Sequence, residues 1–226
     1  MARNFNGTSD YLTFGSAAVS NVPLTLACWF NADNVTSSGV LLSVNDTTAS
    51  TRAQLNAAGT TAGDPIQANL VNSAGSTGTA TTTTGYTAGS WFHACGVFTS
   101  ATSRKALING GSAGTNSNNR TLTGLNETLT GASISSGGSP GSFFSGLIAE
   151  AAVWKVALTD AEVAMLALGV SPALVRPSGL VYYVPLVRDL INFRGAALTD
   201  AGATTVVEHP RVFMPSRVPV FTGSSA

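Results

Sequence analysis

The sequence predicts an all-β domain with a single short helix late in the chain. Three observations carry this prediction. Short apolar runs recur through residues 1–186, separated by Gly, Pro and Asn turn signals. Residues 146–169, GLIAEAAVWKVALTDAEVAMLALG, read as one strand, a turn and one small helix. No other stretch carries a comparable helix signal. In the strand, Leu147, Ala149, Ala151 and Val153 fall on one face and Ile148, Glu150, Ala152 and Trp154 on the other. Thr159 stands at the N-cap and Glu162 completes a capping box, which gives two orphan amides a partner. Gly169 suits the left-handed end of a helix, and Pro172 prevents its resumption.

The other elements follow in order. Residues 5–14 open the domain with a turn at Asn6-Gly7, and Asn21-Val22-Pro23 breaks the chain. Residues 24–30 alternate, with Leu24, Leu26, Cys28 and Phe30 on one face and Thr25, Ala27 and Trp29 on the other. Both faces are largely apolar, which predicts a central strand covered on both sides. Residues 39–44 form a short apolar strand. Gln54-Leu55 and residues 66–71 are weaker strands, split by Gly59, Gly63 and Asp64-Pro65. Residues 73–90, rich in Gly, Ser and Thr, predict one exposed edge strand plus loops. Residues 90–98 are the second central strand. Residues 104–108 run into Asn109-Gly110, a hairpin signal because a type I′ turn needs positive φ at both central positions. Residues 111–120 and 135–142 read as loops, with one or two short strands between Leu122 and Ile134. After the helix, residues 180–186 form a last strand, which Pro185 ends or confines to an edge. Residues 196–207 suggest a small hairpin. Residues 209–221 set three prolines among apolar residues, which favours extended backbone.

Four of these segments resemble laminin-G-like, concanavalin A-like jelly rolls. GLIAEAAVWKVALTDAEV resembles the closing strand and following helix of that family, and FNGTSDYLTF (5–14) its opening strand. LTLACWF (24–30) with SWFHACGVF (90–98) resembles the two central core strands, and RKALINGG (104–111) the hairpin. The resemblance spans residues 5–186. It implies a jelly-roll β-sandwich over residues 1–186, with its helix at about 159–168 and the 180–186 strand returning near the N-terminal one. A C-terminal hairpin and an extended Pro-rich arm then occupy residues 187–226.

Composition narrows the function. Charged residues make up 10% of the chain, against about 25% in an average domain, and Gly, Ser, Thr and Asn take their place. That suits a protein buried in an assembly or exposed outside cells, and equally a turn-rich β protein. The net charge is zero and no basic patch stands out, so nucleic acid is not an expected partner. No run approaches the roughly 20 apolar residues of a membrane span. The start MARNFNG shows no secretory h-region, so synthesis in a cytoplasm is expected. The two cysteines, Cys28 and Cys95, read as buried free thiols. A disulfide stays open if their strands are neighbours, although reducing synthesis argues against it.

Chemistry-bearing residues are few. The four glutamates are Glu127, Glu150, Glu162 and Glu208. None lies in the E-x-D-x-x-E pattern that sandwich glycoside hydrolases carry on one strand. Glu150 has Ala at 152 and Val at 153, whereas a retaining pair needs two carboxyls about 5 Å apart. Glu150 is therefore expected as a partly buried carboxylate paired with Arg or backbone amides. No G-x-S-x-G elbow and no phosphate loop occur. His93, inside WFHAC, reads as a structural histidine, and His209 has no evident acidic partner beyond Glu208. No catalytic residue, no metal set and no resident cofactor are expected. Calcium, which laminin-G-like domains often bind, has candidate ligands in Asp10, Asp33, Asn34, Asn45 and Asp46. Their spacing fits no compact loop, and loop capping explains them as well. For a sugar contact, Tyr86 sits in a polar loop, whereas Trp29, Trp91 and Trp154 are expected in core strands.

Two function classes result. GVSPALVRPSGLVYYVPL (169–186), followed by a Gly-containing hairpin and HPRV, resembles laminin-G-like proteins encoded among tailed-phage head and tail genes. That implies a non-enzymatic virion protein, a capsid decoration or a tail or fibre component, working by contact with other virion proteins or with its own copies. The arm residues Pro210, Arg211, Phe213, Met214, Pro215, Arg217, Pro219 and Phe221 would dock on a neighbouring subunit, or pack back on their own sandwich. The alternative is a carbohydrate-binding module for a host-surface glycan.

Overall fold

The computed structural model describes residues 2–134, 138–187, 190–193 and 195–213. The first eight strands are β1 (Ala2–Asn6), β2 (Leu12–Thr13), β3 (Leu24–Ala32), β4 (Ser38–Asn45), β5 (Arg52–Ala58), β6 (Pro65–Val71), β7 (Thr77–Gly85) and β8 (Phe92–Ser100). There follow β9 (Ser103–Ile108), β10 (Gly111–Asn116), β11 (Glu127–Thr130), β12 (Ser133–Ile134), β13 (Pro140–Gly141) and β14 (Ser145–Trp154). Helix α1 (Asp160–Ala167) and a 3-10 turn (Pro172–Leu174) precede β15 (Leu180–Val184), β16 (Thr199–Asp200) and β17 (Thr205–Val207). The first sheet runs β10-β9-β8-β3-β14-β1-β17, with β15 also paired to β14; the second runs β16-β2-β11-β4-β5-β6-β7. All the pairings are antiparallel, so the expected jelly-roll sandwich with one helix is the observed fold. No helix among the described residues is long and apolar enough to cross a membrane.

Alternation sets the layers. Leu24, Leu26, Cys28 and Phe30 enter the core between the sheets, with Leu41, Leu55, Leu70, Phe98 and Ile148. On the outer face of the first sheet a second cluster forms: Ala27, Cys95, Val97, Leu107, Ala152 and Trp154 lie with Val163 and Leu166 of α1. Cys28 is opposite Ala94, and Cys95 opposite Ala27, so the two thiols sit one residue out of register and point to opposite faces. Both are free, and burial pushes both thiols up. A bridge is excluded by direction, not by distance along the sheet.

The capping box is formed as expected: Glu162 accepts from the Thr159 amide at 2.7 Å, and Thr159 Oγ1 accepts from the Glu162 amide at 3.3 Å. Arg176 clamps the same carboxylate through Nε at 2.6 Å. The Asn109-Gly110 turn has φ of 49° and 73°. Gly110 also lies under the helix, because a Cβ there would stand 2.9 Å from Ala164 Cα.

Several expectations are corrected. The period-two faces read over residues 147–154 do not hold, because an extra residue between Ala149 and Ala152 of β14 puts Ile148, Ala151 and Val153 in the inner core and Ala152 and Trp154 in the outer cluster. Residues 111–116 are not loop but the edge strand β10. They lack a strand pattern because β10 lies hard against β7 of the other sheet, and a Cβ at Gly114 would overlap the Thr81 carbonyl. Residues 196–207 do not form a hairpin. β16 pairs with β2 in the second sheet and β17 with β1 in the first, so this stretch ties the two edges together. Pro185 does end the 180–184 strand, β15, although β16 and β17 follow it. β15 pairs with the second half of β14 and β1 with the first half, end to end along one edge. We expect Gly114→Ala to cost about 2 kcal/mol through overpacking at the β7–β10 approach. Urea unfolding measures it, and an unchanged midpoint would refute the close approach.

Candidate functional site

The outer face of the first sheet has two halves. Helix α1 covers the half that holds Cys95, Val97 and Leu107. Among the described residues, the other half stays partly open. On it, Trp29 and Asn31 of β3, Leu147 of β14 and Asn4 of β1 are half-buried, as is Trp91 just before β8. Register places Trp29 between His93 and Ala149, and Leu147 between Asn31 and Asn4. Trp29 and Asn31 share a side because Cys28 and Phe30 face the sandwich core. An aromatic ring thus lies beside an Asn–Leu–Asn row.

Trp29 is braced from its side. The His93 ring meets it edge-on, with centroids 5.5 Å apart at 65°. His93 is 2% exposed, and its amide donates to Asn109 Oδ1 at 2.9 Å. Burial pushes the imidazole down to about 3, so the ring is neutral at physiological pH. It is a structural histidine, as its place in WFHAC suggests, but one that props a surface tryptophan.

Next to Ala149 the strand bulges. β14 gains one residue against β3 between Ala149 and Ala152, and Glu150 takes φ of 55°. A bulge re-aims a side chain, and Glu150 falls at the junction where β1 leaves off and β15 begins. Its amide donates to the Pro185 carbonyl at 3.3 Å. The carboxylate is 2% exposed, accepts from Tyr183 Oη at 2.7 Å, and lies 3.0 Å from His209 Nε2. Tyr183 Oη in turn lies 3.2 Å from Ser171 Oγ. The expected Arg or backbone-amide partners are replaced by Tyr183 and His209, and the expected isolation of His209 is corrected in the same contact. From His209 a strip runs to Phe213 along the helix end, where Phe213 forms a parallel bridge with Val170. Pro210 is buried, while Arg211 and Phe213 are exposed. The described part of the arm thus lies on its own sandwich; Met214, Pro215, Arg217, Pro219 and Phe221 fall outside the described residues.

The remaining sequence candidates separate. Tyr86 is corrected from exposed to buried: it is 3% exposed, edge-on to Phe30 at 5.2 Å, with its hydroxyl pushed up to about 12 by burial. Trp154 is buried and donates to the Val175 carbonyl at 2.8 Å, but Trp29 and Trp91 are not fully covered. The five calcium candidates do not converge. Asp10 accepts from Asn6, Asp33 from Ser145, and Asn45 from the Ile134 amide. Asn34 caps Thr36 and Ser37, and Asp46 accepts from Thr48, which holds its carboxyl below the usual range. Among the described residues no group of three His, Cys, Asp or Glu is placed to hold a metal. Two surface grooves lack aromatic lining. One, of about 520 Å³, lies beside the Lys105–Asp160 ion pair; the other, of about 700 Å³, lies between the Ser16–Pro23 loop and Lys155.

A family model described as the concanavalin A-like lectin/glucanases superfamily matches residues 6–164. No curated protein matches the chain. Among solved structures, the chain is similar to the native heptameric SAP-like pentraxin of Limulus polyphemus. The two share 18% identity and a TM-score of 0.69, over 94% of this chain and 97% of that one. It is similar to domain 4 of AbnA, an extracellular arabinanase of Geobacillus stearothermophilus in complex with arabinotriose, at 21% identity and a TM-score of 0.58, covering 74% and 76% of the two chains. The CBM40 of the Ruminococcus gnavus IT-sialidase, bound to α2,3 sialyllactose, shares 15% identity and a TM-score of 0.57 over 74% and 96%. At these identities the likeness is one of fold.

Two outcomes follow from the buried groups. The folded His93 resists a proton that the unfolded chain accepts near 6.5. Its contribution is therefore full above that pH and falls as pH drops toward 3, by on the order of 4–5 kcal/mol in all. His93→Phe keeps an aromatic edge and should flatten urea midpoints between pH 6.5 and 4.5; an unchanged slope would refute the assignment. His209→Ala should cost about 2 kcal/mol, because it strands a buried carboxylate, and should open the strip to proteolysis. Glu150→Gln should cost less. A His209→Ala midpoint equal to wild type would show that the contact does not hold the strip.

Proposed function

The chain belongs to the concanavalin A-like lectin/glucanase superfamily, and from that premise we propose that it is a carbohydrate-binding module whose glycan lies on the open half of the first sheet's outer face. The observation that carries this reading is Trp29, incompletely covered and braced by a buried neutral imidazole. An indole offers the apolar C–H face of a sugar ring a large rigid surface, and the asparagines beside it supply donor and acceptor pairs for hydroxyls. One stacked ring removes enough apolar surface from water to contribute about 1–2 kcal/mol. The named neighbours that hold arabinotriose and α2,3 sialyllactose support binding on this architecture.

Binding without turnover is part of the proposal. Glu150 is sealed from solvent, and its partners are a tyrosine and a histidine rather than a second carboxylate. The virion role expected from the sequence is weaker. It keeps the resemblance of residues 169–186, but no neighbour named above is a phage protein, and of the described arm residues Pro210 is buried and Phe213 bridges Val170 of the same chain.

A glycan array followed by titration calorimetry tests the reading. Wild type is expected to bind saturably, and Trp29→Ala to weaken binding about tenfold or more, in line with the loss of a stacked ring. Binding that survives Trp29→Ala in a folded protein would remove the site from this face.

A further inference from the structure

We infer that this face selects neutral glycans over acidic ones such as sialylated or uronate-containing chains. The inference rests on the binding reading above and adds the ligand's charge class. The strands that build the face, β1, β3, β8 and β14, contain one cationic residue, Arg3. Arg3 is 8% exposed; its Nη1 donates to the Thr204 carbonyl at 3.1 Å and stands 3.9 Å from Asp200 Oδ2. Its charge is thus engaged away from the open face. Recognition of a carboxylate draws on guanidinium or ammonium groups that make charge-assisted hydrogen bonds, and these strands offer none to the surface.

The neighbouring groups push the same way. His93 beside Trp29 is buried and neutral. His209 lies beside Glu150, with its Nε2 3.0 Å from that carboxylate and its Nδ1 2.6 Å from the Pro210 carbonyl. Arg211 lies on the strip beside Gly169, at the helix-covered end. Asp33, exposed and two residues beyond Asn31, adds a negative charge to the open end. Among the described residues of these four strands, no exposed cation offsets that carboxylate against an acidic sugar. Asn4 and Asn31 instead present neutral amides, each with both donors and an acceptor, which suit vicinal hydroxyls.

The test uses the full chain and matched probes in about 150 mM salt, where only close charges act: lactose against α2,3 sialyllactose, and xylohexaose or cellohexaose against oligogalacturonate. The neutral member of a pair is expected to bind at least tenfold tighter, with that binding lost in Trp29→Ala. Asn31→Arg should narrow or invert the preference. Trp29-dependent binding of an acidic probe as tight as its neutral partner would overturn the charge selection while leaving the binding site in place. Binding of no probe, or neutral binding indifferent to Trp29→Ala, would overturn the site and this inference together.

Discussion

A sheet that is apolar on both faces must be covered twice, and the rest of this molecule follows from that demand. β3, β8 and β14 place Leu24, Leu26, Phe98, Ile148 and Val153 inward, and Ala27, Cys95, Val97, Ala152 and Trp154 outward. The inner face is met by the second sheet. The outer face is met by one eight-residue helix and the turns beside it, and the helix is too short to span it. Val163 and Leu166 cover one half, and the Arg176 clamp on Glu162 together with Gly110 beneath Ala164 fixes where the helix lies. The half left partly open among the described residues is where Trp29, Asn31 and Asn4 lie. Fold and candidate site are therefore two results of one shortage of cover.

What the residues disclosed in advance was local. The Thr159–Glu162 box, the Asn109-Gly110 turn and the double-faced alternation of residues 24–30 depend on neighbours within a few positions, and each forms as read. What they hid was remote. Tyr86 looks exposed because its sequence neighbours are Gly and Thr, yet Phe30 and Phe92 on other strands enclose it. The Glu150–His209 contact joins residues that no spacing rule connects. At Gly114 another backbone takes the space of a side chain, so the apolar pattern of a strand is missing where a strand exists. Trp29 shows the limit of alternation: period two gives its side of the sheet, but not how far along that side the helix reaches.

The sheet edges follow a related logic. A free edge invites pairing with another chain. At one end of the sandwich β7 and β10 approach each other closely enough that Gly114 tolerates no side chain. At the other end β16 and β17, two and three residues long, belong to opposite sheets although they are close in sequence. One short stretch thus closes both layers. It leads directly to His209, whose ring then seals the bulge in β14.

The one-residue offset between Cys28 and Cys95 has a consequence of its own. Each thiol belongs to a different layer, one between the sheets and one beneath the helix. Both are inert while folded, so reaction with a thiol reagent reports exposure alone. Lifting the helix would bare Cys95, and parting the sheets would bare Cys28. The native chain thereby carries paired chemical clocks, able to time undocking of the helix separately from melting of the sandwich without any engineered label.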